Sequence, residues 1–226
     1  MAYKFHRDPE NSPLDAYLHA TPSPAFHGTD YLSIFARFNA ENVDDNHTIA
    51  TLRFTDTNGK SNMYLLRACG ELSGDPVRFT STREGADYYI DSATGFSAST
   101  WHTVIATANR ADTKLFLSLD GGAFAAKSSA KFPNGNPWFV QLSGAMYYRA
   151  IAGSLAEIAL YNIDLAASAY AADVAALAKG FSPASIRPQN LLAYWPLVRG
   201  LQDLKGGRTL TAYNDPVVVE HPRVIA

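Results

Sequence analysis

The chain has 226 residues, of which 47% are hydrophobic and 18% charged, a composition that supports a large core and excludes intrinsic disorder. Its 19 basic and 21 acidic side chains leave a formal charge of −2, and without clustered Lys and Arg a nucleic-acid partner is excluded. The single cysteine, Cys69, excludes an intrachain disulfide and a cysteine-rich zinc site, and it is expected to be a small buried hydrophobic residue.

Alternation of apolar and polar residues with period two predicts half-buried strands in much of the chain. In the first of them, the inward set is Leu32, Ile34, Ala36 and Phe38, and the outward set is Ser33, Phe35, Arg37 and Asn39. In chain order, strands are predicted over 32–39, 47–56, 61–68, 77–82, 86–91, 101–109, 113–119, 138–142, 153–161 and 191–195. The Asp120-Gly121-Gly122 turn predicts a hairpin, because Gly supplies a positive φ. Short strands with Gly and Pro breaks predict a sandwich or jelly roll.

Two segments depart from the strand pattern. Residues 168–179 are rich in alanine and place apolar residues at helical spacing, which predicts one short late helix with Ser168 as N-cap and Gly180 just beyond its end. Residues 1–24 are rich in proline and poor in periodicity. They are predicted to form an extended N-terminal arm that docks on a neighbouring subunit, followed by one β-sandwich domain over 25–226.

Three stretches in the second half resemble the concanavalin A-like, laminin-G-like domains. WHTVIATANRADTKLFLSLDGG, from 101, resembles the hairpin of that family, and GSLAEIALYN, from 153, with the helix and LLAYWPL, from 191, resembles its later strands. Asp203, Gly206, Gly207 and Leu210 look like the Asp, Gly-Gly and Leu-Thr elements of the family. The resemblance implies an all-β antiparallel β-sandwich jelly roll. The family includes lectins, glycoside hydrolases, lyases, adhesion modules and virus-particle proteins, so the fold does not choose a function.

Catalysis by paired carboxylates is not supported by the spacing of the acids. Glycoside hydrolases need two carboxylates about 5–10 Å apart, and Glu157 is predicted to share its strand face with Leu155, Ala159 and Tyr161, which include no second acid. The strand over 86–91 would place its two aspartates ~13 Å apart, too far for a retaining pair. The histidines form no zinc motif, and His102 is expected to be a hydrogen-bonded structural residue. The chain is therefore predicted not to be an enzyme.

Sugars are bound by aromatic faces combined with planar polar side chains. Tyr147, Tyr148 and Arg149 lie together between two predicted strands, and Trp138 precedes them. These four residues are the predicted ligand-binding surface. The alternative for the same residues is packing in the core or in a subunit contact.

A calcium site is the second candidate. Carboxylate and amide oxygens crowd one loop that contains Asp44 and Asp45, flanked by Glu41, Asn42 and Asn46, and Ca²⁺ prefers such ligands. The spacing is not that of an EF-hand, and a solvated hairpin loop is the alternative. No other cofactor is expected.

The predicted function is a non-catalytic, lectin-like structural or adhesive component of a phage particle surface, as capsid decoration, fibre or tail appendage. The chain shows no secretory signal at its N-terminus, no membrane span and no disulfide, and the resemblance implies relatives among phage proteins. The expected location is the virion, assembled in the host cytoplasm. Expected partners are other virion proteins or a second copy, and cell-surface glycans. A soluble carbohydrate-binding lectin is the first alternative, and a polysaccharide-degrading glycosidase or lyase is the second.

Overall fold

A computed structural model describes residues 2–6, 15–21, 26, 29–55, 62–144, 150–198, 200–222 and 225. Within these ranges the chain forms fifteen strands and one α-helix, α1, over Ala171–Lys179. The strands are β1 (Ala2–Phe5), β2 (Tyr17–Ala20), β3 (Tyr31–Ala40), β4 (Asn46–Phe54), β5 (Asn62–Cys69), β6 (Pro76–Arg83), β7 (Ala86–Gly95), β8 (His102–Asn109), β9 (Lys114–Leu119), β10 (Ala125–Lys127), β11 (Pro137–Leu142), β12 (Gly153–Tyr161), β13 (Leu191–Trp195), β14 (Thr211–Tyr213) and β15 (Val217–Val219).

The strands form two antiparallel sheets. One has the order β10-β9-β8-β3-β12-β1-β15, with β13 also paired to β12, and the other has the order β14-β2-β11-β4-β5-β6-β7. We call them the eight-stranded and the seven-stranded sheet. Alternate residues of both sheets, such as Ile34 and Leu66, face one shared core, so the described chain is an antiparallel β-sandwich, and the predicted fold class is confirmed.

All ten predicted strands are present, with ends shifted by a few residues. In the strand over Tyr31–Ala40, the predicted inward set lies in the core between the sheets. The hairpin after β9 is also confirmed, because Asp120 and Gly121 both have positive φ and β10 pairs antiparallel with β9. Cys69 is buried, as predicted. Five strands were not predicted, because a segment of three or four residues is too short to show a period-two pattern. They are β1, β2, β10, β14 and β15.

The described part of residues 1–24 differs from the predicted arm. Strand β1 lies in the eight-stranded sheet between β12 and β15, and β2 lies in the seven-stranded sheet between β11 and β14. Ala2, Phe5 and Leu18 are fully buried. These residues therefore form part of the sandwich and use their backbone hydrogen bonds within this chain.

Helix α1 covers the outer face of the eight-stranded sheet. Its Val174 and Leu177 form a second apolar cluster with outward-facing side chains such as Phe35 and Tyr161. The helix ends at Gly180 in the left-handed conformation, as predicted. Its start differs from the prediction, because Ser168 begins a separate 3₁₀ turn and Tyr170 is the N-cap without a side-chain cap bond. Among the described residues, no helix has the length and apolarity needed to span a membrane.

A β-bulge in β12 changes which face each of its residues occupies. The register with β3 shifts between Ala156 and Ala159, and Glu157 within the bulge has φ 46°. The bulge reverses the alternation, so Leu155 faces the shared core together with Ile158. The predicted common face of Leu155 and Glu157 is therefore wrong, because strict period two assumes an unbroken ladder.

Candidate functional site

One end of the outer face of the seven-stranded sheet carries a group of aromatic side chains. Strands β14, β2, β11 and β4 lie side by side there, and their inward residues, such as Leu18, Val140 and Leu52, fill the shared core. The alternate residues therefore point outward. We call the group formed by Tyr17, His19, Arg53, Trp138, Phe139 and Tyr213 the aromatic face.

Trp138 is the most exposed member of the aromatic face, with 49% of its surface accessible. The pairing of β11 with β4 is irregular between Pro137 and Phe139, so Trp138 lies at the irregularity. Its ring is 5.2 Å from the Phe139 ring, and the Arg53 guanidinium carbon is 5.4 Å from the Trp138 ring centroid. The ring is thus supported from within the protein while half of its surface remains open to a ligand.

The remaining aromatic side chains continue this surface to the edge of the sheet. The rings of Tyr17 and Tyr213 stack at 4.7 Å, and the His19 ring is 5.3 Å from Phe139 and 6.3 Å from Tyr213. Burial lowers the pKa of His19, so its imidazole is uncharged at neutral pH. Gln141, paired with His19 across the strands, adds a neutral amide group.

Of the four residues predicted to bind ligand, the structure describes Trp138. Tyr147, Tyr148 and Arg149 lie outside the described residues, and their role stays a prediction. Tyr17, His19 and Tyr213 were not predicted as site residues, since they belong to the short strands β2 and β14, which show no periodicity. Phe139, adjacent to Trp138, was the one local signal of a larger aromatic surface.

The loop predicted to bind calcium uses several of its side chains in other contacts. The Glu41 carboxylate forms an ion pair with Lys4 at 2.6 Å, and the Asn46 amide donates to Glu71 at 2.7 Å. Asp44 is exposed, and within the described ranges no group of three or more His, Cys, Asp or Glu side chains is arranged to hold a metal. Calcium binding by Asp44 and Asp45 stays a prediction.

Glu157 is buried in an ion pair. Its Oε2 is 2.7 Å from Nη1 of Arg37, and the two side chains are 1% and 4% exposed. Tyr194 donates its hydroxyl to Glu157 Oε1 at 2.7 Å. Burial raises the pKa of Glu157, although the Arg37 charge and the Tyr194 hydrogen bond act in the opposite direction. With about 1% exposure, the carboxylate has no access to a polysaccharide.

Ser97, His102 and Asp120 form a hydrogen-bonded series in the order of a Ser-His-Asp triad. Ser97 Oγ is 3.2 Å from His102 Nε2, and His102 Nδ1 is 2.7 Å from Asp120 Oδ2. The Ser97 backbone N–H, however, donates to the same Nε2 at 3.0 Å. The same Nε2 also lies 3.1 Å from the Ser97 carbonyl oxygen, to which the protonated ring donates. Nε2 is therefore bonded to the Ser97 backbone in either protonation state, and His102 fixes the loop before β8. His102 is hydrogen-bonded through both ring nitrogens, as predicted.

The His102–Asp120 pair predicts a pH dependence of stability. Burial opposes protonation of His102, but the hydrogen bond and charge of Asp120 outweigh it and raise its pKa. Burial likewise opposes ionisation of Asp120, yet the bonds from His102 and Thr103 lower its pKa. The His102 contribution is therefore present below its unfolded pKa of about 6.5 and lost as pH rises through the raised value, and the Asp120 contribution is lost as pH falls below about 4.

We expect Asp120→Asn to reduce the free energy of unfolding most between about pH 4 and pH 6.5, because both contributions are fully present in that window. Urea unfolding at a series of pH values measures this. Asp87→Asn is the control, since the exposed Asp87 accepts from a hydroxyl, Thr82 Oγ1. A loss of stability in Asp120→Asn that is the same from pH 4 to pH 9 would contradict the charged pair.

Comparisons with known proteins define the fold. No protein-family model and no curated protein matches the sequence. Among solved structures, a candidate carbohydrate-binding protein from Bacteroides ovatus aligns with a TM-score of 0.61 at 17% identity, over 97% of this chain and 61% of that one. The Ruminococcus gnavus IT-sialidase CBM40 bound to α2,3 sialyllactose aligns with a TM-score of 0.54 at 13% identity, over 77% and 98%. Domains LG4-5 of the mouse laminin α1 chain align with a TM-score of 0.53 at 15% identity, over 70% and 41%.

These similarities show that the chain has the jelly-roll fold of lectin-like and laminin G domains. At such identities they establish the fold alone, as the resemblance in the sequence implied. The ligand and the biological role follow from the side chains of the site.

Proposed function

We propose that this protein is a non-catalytic, carbohydrate-binding β-sandwich and that its saccharide contacts the aromatic face. The observation that carries the proposal is the half-exposed Trp138, held against Phe139 and Arg53 on the outer face of the seven-stranded sheet. An indole fixed in this way exposes a flat apolar surface to water. Binding is favoured when the apolar side of a pyranose ring covers this surface, because apolar area is then removed from water.

The polar groups around Trp138 suit a sugar as well. The neutral His19 ring and the Gln141 amide lie on the same outer face, and both groups can donate to and accept from hydroxyls. A saccharide bound here exchanges its hydrogen bonds with water for hydrogen bonds with the protein, while its apolar side is covered by aromatic rings.

The similar structures support the proposal without deciding it. The Bacteroides ovatus protein is described as a candidate carbohydrate-binding protein, and the Ruminococcus gnavus module was solved with sialyllactose bound. The non-catalytic part of the proposal rests on the burial and pairing of Glu157 and on the occupied Nε2 of His102.

A glycan array followed by titration calorimetry tests the proposal. We expect saturable binding of at least one glycan by the parent chain, and binding weaker by about tenfold or more in Trp138→Ala, since an aromatic contact contributes about 1 kcal/mol beyond its buried area. Tyr89→Ala is the matched control, because Tyr89 is an equally exposed aromatic residue, at 48%, on the far edge strand β7. Tyr147→Ala and Arg149→Ala test whether these two residues bind the ligand together with Trp138, as the sequence predicts.

Two results would contradict the proposal. One is the absence of binding to any glycan on the array by the folded parent chain. The other is equal affinity in Trp138→Ala and Tyr89→Ala, which would place the ligand away from the aromatic face. Polysaccharide cleavage by the purified protein would overturn the non-catalytic part alone.

We also propose that this β-sandwich lies on the surface of a phage particle, as capsid decoration, fibre or tail appendage. Its support is the resemblance of the sequence to lectin-like jelly rolls of phage particles, and its partners would be other virion proteins or cell-surface glycans. The genes beside this one test it directly. Capsid or tail genes are expected there, and a neighbourhood of metabolic genes would favour the soluble lectin.

A further inference from the structure

A cleft of about 320 Å³ opens on the opposite sheet from the aromatic face, where β3 begins and β8 ends. We call it the Asn109 cleft. Its lining includes Tyr31, Asn109, Asp112, Ile163, Asp164 and Tyr170. Tyr31 and Asn109 are cross-strand partners, and the other residues come from the turn after β8 and from the segment between β12 and α1.

The Asn109 side chain organises the polar half of the cleft. It is 3% exposed, and its Nδ2 donates to Asp112 Oδ2 at 3.1 Å and to Asp164 Oδ2 at 2.8 Å. Its Oδ1 accepts the Asp112 backbone N–H at 2.8 Å. Asp164 Oδ1 also accepts the Ala166 backbone N–H at 3.0 Å. The buried amide and this bond therefore fix the orientation of two carboxylates that border the same opening.

The other lining residues of the cleft are apolar or aromatic, and the contacts of Ile163 and Tyr170 hold them in place. Ile163 is 8% exposed, and its carbonyl accepts from the buried Ser33 Oγ at 2.7 Å, which ties this segment to β3. Tyr170 and Tyr31 are half-buried, and the Arg187 guanidinium lies 5.3 Å from the Tyr170 ring centroid. The cleft thus combines aromatic surface with fixed hydrogen-bond acceptors.

The charges at the cleft select the kind of ligand. Carboxylates accept hydrogen bonds and donate none, and no Lys, Arg or His side chain is among the described residues that line the cleft. Hydroxyl groups are donors that form short charge-assisted bonds with carboxylates. A ligand with its own carboxylate or sulfate would be repelled by Asp112 and Asp164.

We propose that the Asn109 cleft binds a neutral pyranose, whose hydroxyls donate to Asp112 and Asp164 while its apolar side packs on Tyr170 and Tyr31. This second saccharide site goes beyond the proposed function, because it lies on the other sheet and shares no residue with the aromatic face. Two sites on opposite sheets let one molecule bridge two glycan chains or bind a multivalent surface with increased avidity.

The experiment follows two side-chain signals of the ¹⁵N-labelled protein by NMR, with a chelator present. The Asn109 side-chain amide reports on the cleft, and the Trp138 indole N–H reports on the aromatic face. The probes are D-glucose, D-galactose and D-mannose, with D-glucuronate as the anionic match for glucose and methylamine as a cation without a sugar ring. We expect at least one neutral hexose to shift the Asn109 signals saturably and D-glucuronate to leave them unchanged.

Variants assign the effect to the cleft. Asp112→Asn keeps the size of the side chain and is expected to weaken hexose binding at Asn109 by about tenfold, since a charge-assisted hydrogen bond contributes about 1.5 kcal/mol or more. Tyr170→Ala is expected to weaken it by a similar factor through lost ring contact. Asp44→Asn removes the same charge from an exposed loop at the other end of β3 and should bind like the parent. Trp138→Ala should also bind like the parent at this site.

Several outcomes would overturn the proposal. The first is that no hexose shifts the Asn109 signals. The second and third are that D-glucuronate, or methylamine alone, shifts them as much as a neutral hexose does. The fourth is that Asp112→Asn and Asp44→Asn bind the hexose with equal affinity. Thermal unfolding of each variant confirms that it is folded. Because shifts at the Trp138 indole are measured in the same spectra, failure at the cleft is distinguished from failure of the proposed function at the aromatic face.

Discussion

Replacing Arg37 with leucine is expected to lower the free energy of unfolding by about 3–5 kcal/mol at neutral pH, since removal of one partner leaves the other as an uncompensated buried charge. Arg37 is 4% exposed and forms its ion pair with Glu157 beneath helix α1. Its Nη2 also donates to the carbonyl of Leu177 at 3.3 Å, near the helix end where a positive charge is favourable. The variant loses both contacts.

The pH dependence separates a buried charge from lost packing. Burial already raises the pKa of Glu157 in the presence of Arg37, and removal of Arg37 takes away the charge that opposes this rise. A carboxyl with a raised folded pKa costs stability as pH rises through that value. The deficit of Arg37→Leu should therefore shrink as the pH is lowered and Glu157 becomes neutral.

Two further variants control this result. Arg37→Leu combined with Glu157→Leu should recover most of the loss, because an apolar pair can replace a buried ion pair. Arg83→Leu breaks an exposed pair with Glu84 and should cost less than about 1 kcal/mol. If Arg37→Leu resembles Arg83→Leu in urea unfolding, the buried pair has no structural role.

Glycan binding should be unchanged in Glu157→Gln, since the buried Glu157 side chain belongs to the scaffold.

Replacing Asp203 with alanine is the second change with a large expected effect, a loss of about 3 kcal/mol in the free energy of unfolding, because it leaves one buried donor and two part-buried donors without their acceptor. The Asp203 side chain is fully buried and pairs with Arg208 Nη1 at 2.8 Å. Its Oδ1 accepts the backbone N–H groups of Tyr194 and Lys205, each at 2.9 Å. One carboxylate thereby holds β13 to the loop that precedes β14.

The same contacts explain the Asp and Gly-Gly elements noted in the sequence. A Cβ atom at Gly206 would overlap the Arg208 guanidinium and the Asp203 carboxylate, and Gly207 has φ 69°. The motif is therefore a folding element of this loop. Asp203→Asn retains an oxygen for the two backbone donors but loses the charge opposite Arg208, so it should lose less stability than Asp203→Ala.

Urea unfolding of Asp203→Ala, Asp203→Asn and the exposed control Asp44→Ala measures this order. We expect the largest loss for Asp203→Ala, an intermediate loss for Asp203→Asn and almost none for Asp44→Ala. Equal stability of Asp203→Ala and Asp44→Ala would show that the loop is held by other contacts. Loss of glycan binding in a folded Asp203→Asn would instead give this residue a role at a ligand site.

Local periodicity was sufficient to predict the long strands. In β3, ten residues alternate without interruption, and the inward and outward sets, including Arg37 on the outer face, were both predictable. Strands of three or four residues, such as β2 and β14, have no such signal. The separation of Glu157 and Leu155 onto opposite faces of β12 could not be predicted from the sequence either, because one bulge, in which Glu157 has φ 46°, reverses the alternation.

The candidate sites depend on contacts between distant parts of the chain. Trp138 and Phe139 are neighbours in sequence, but the stack of Tyr17 on Tyr213 joins the two ends of the chain through the pairing of β2 with β14. Likewise, Asn109 meets Asp164 only because the segment after β12 returns to the end of β8.

The sequence by itself determined the all-β class, the long strands, the late helix and the aromatic character of the 138–149 segment. Only the tertiary structure decided which outward-facing residues form a common surface. The physical reason is that the alternation of side chains is a property of each strand, whereas the order of strands in a sheet is set by pairing that buries the shared core.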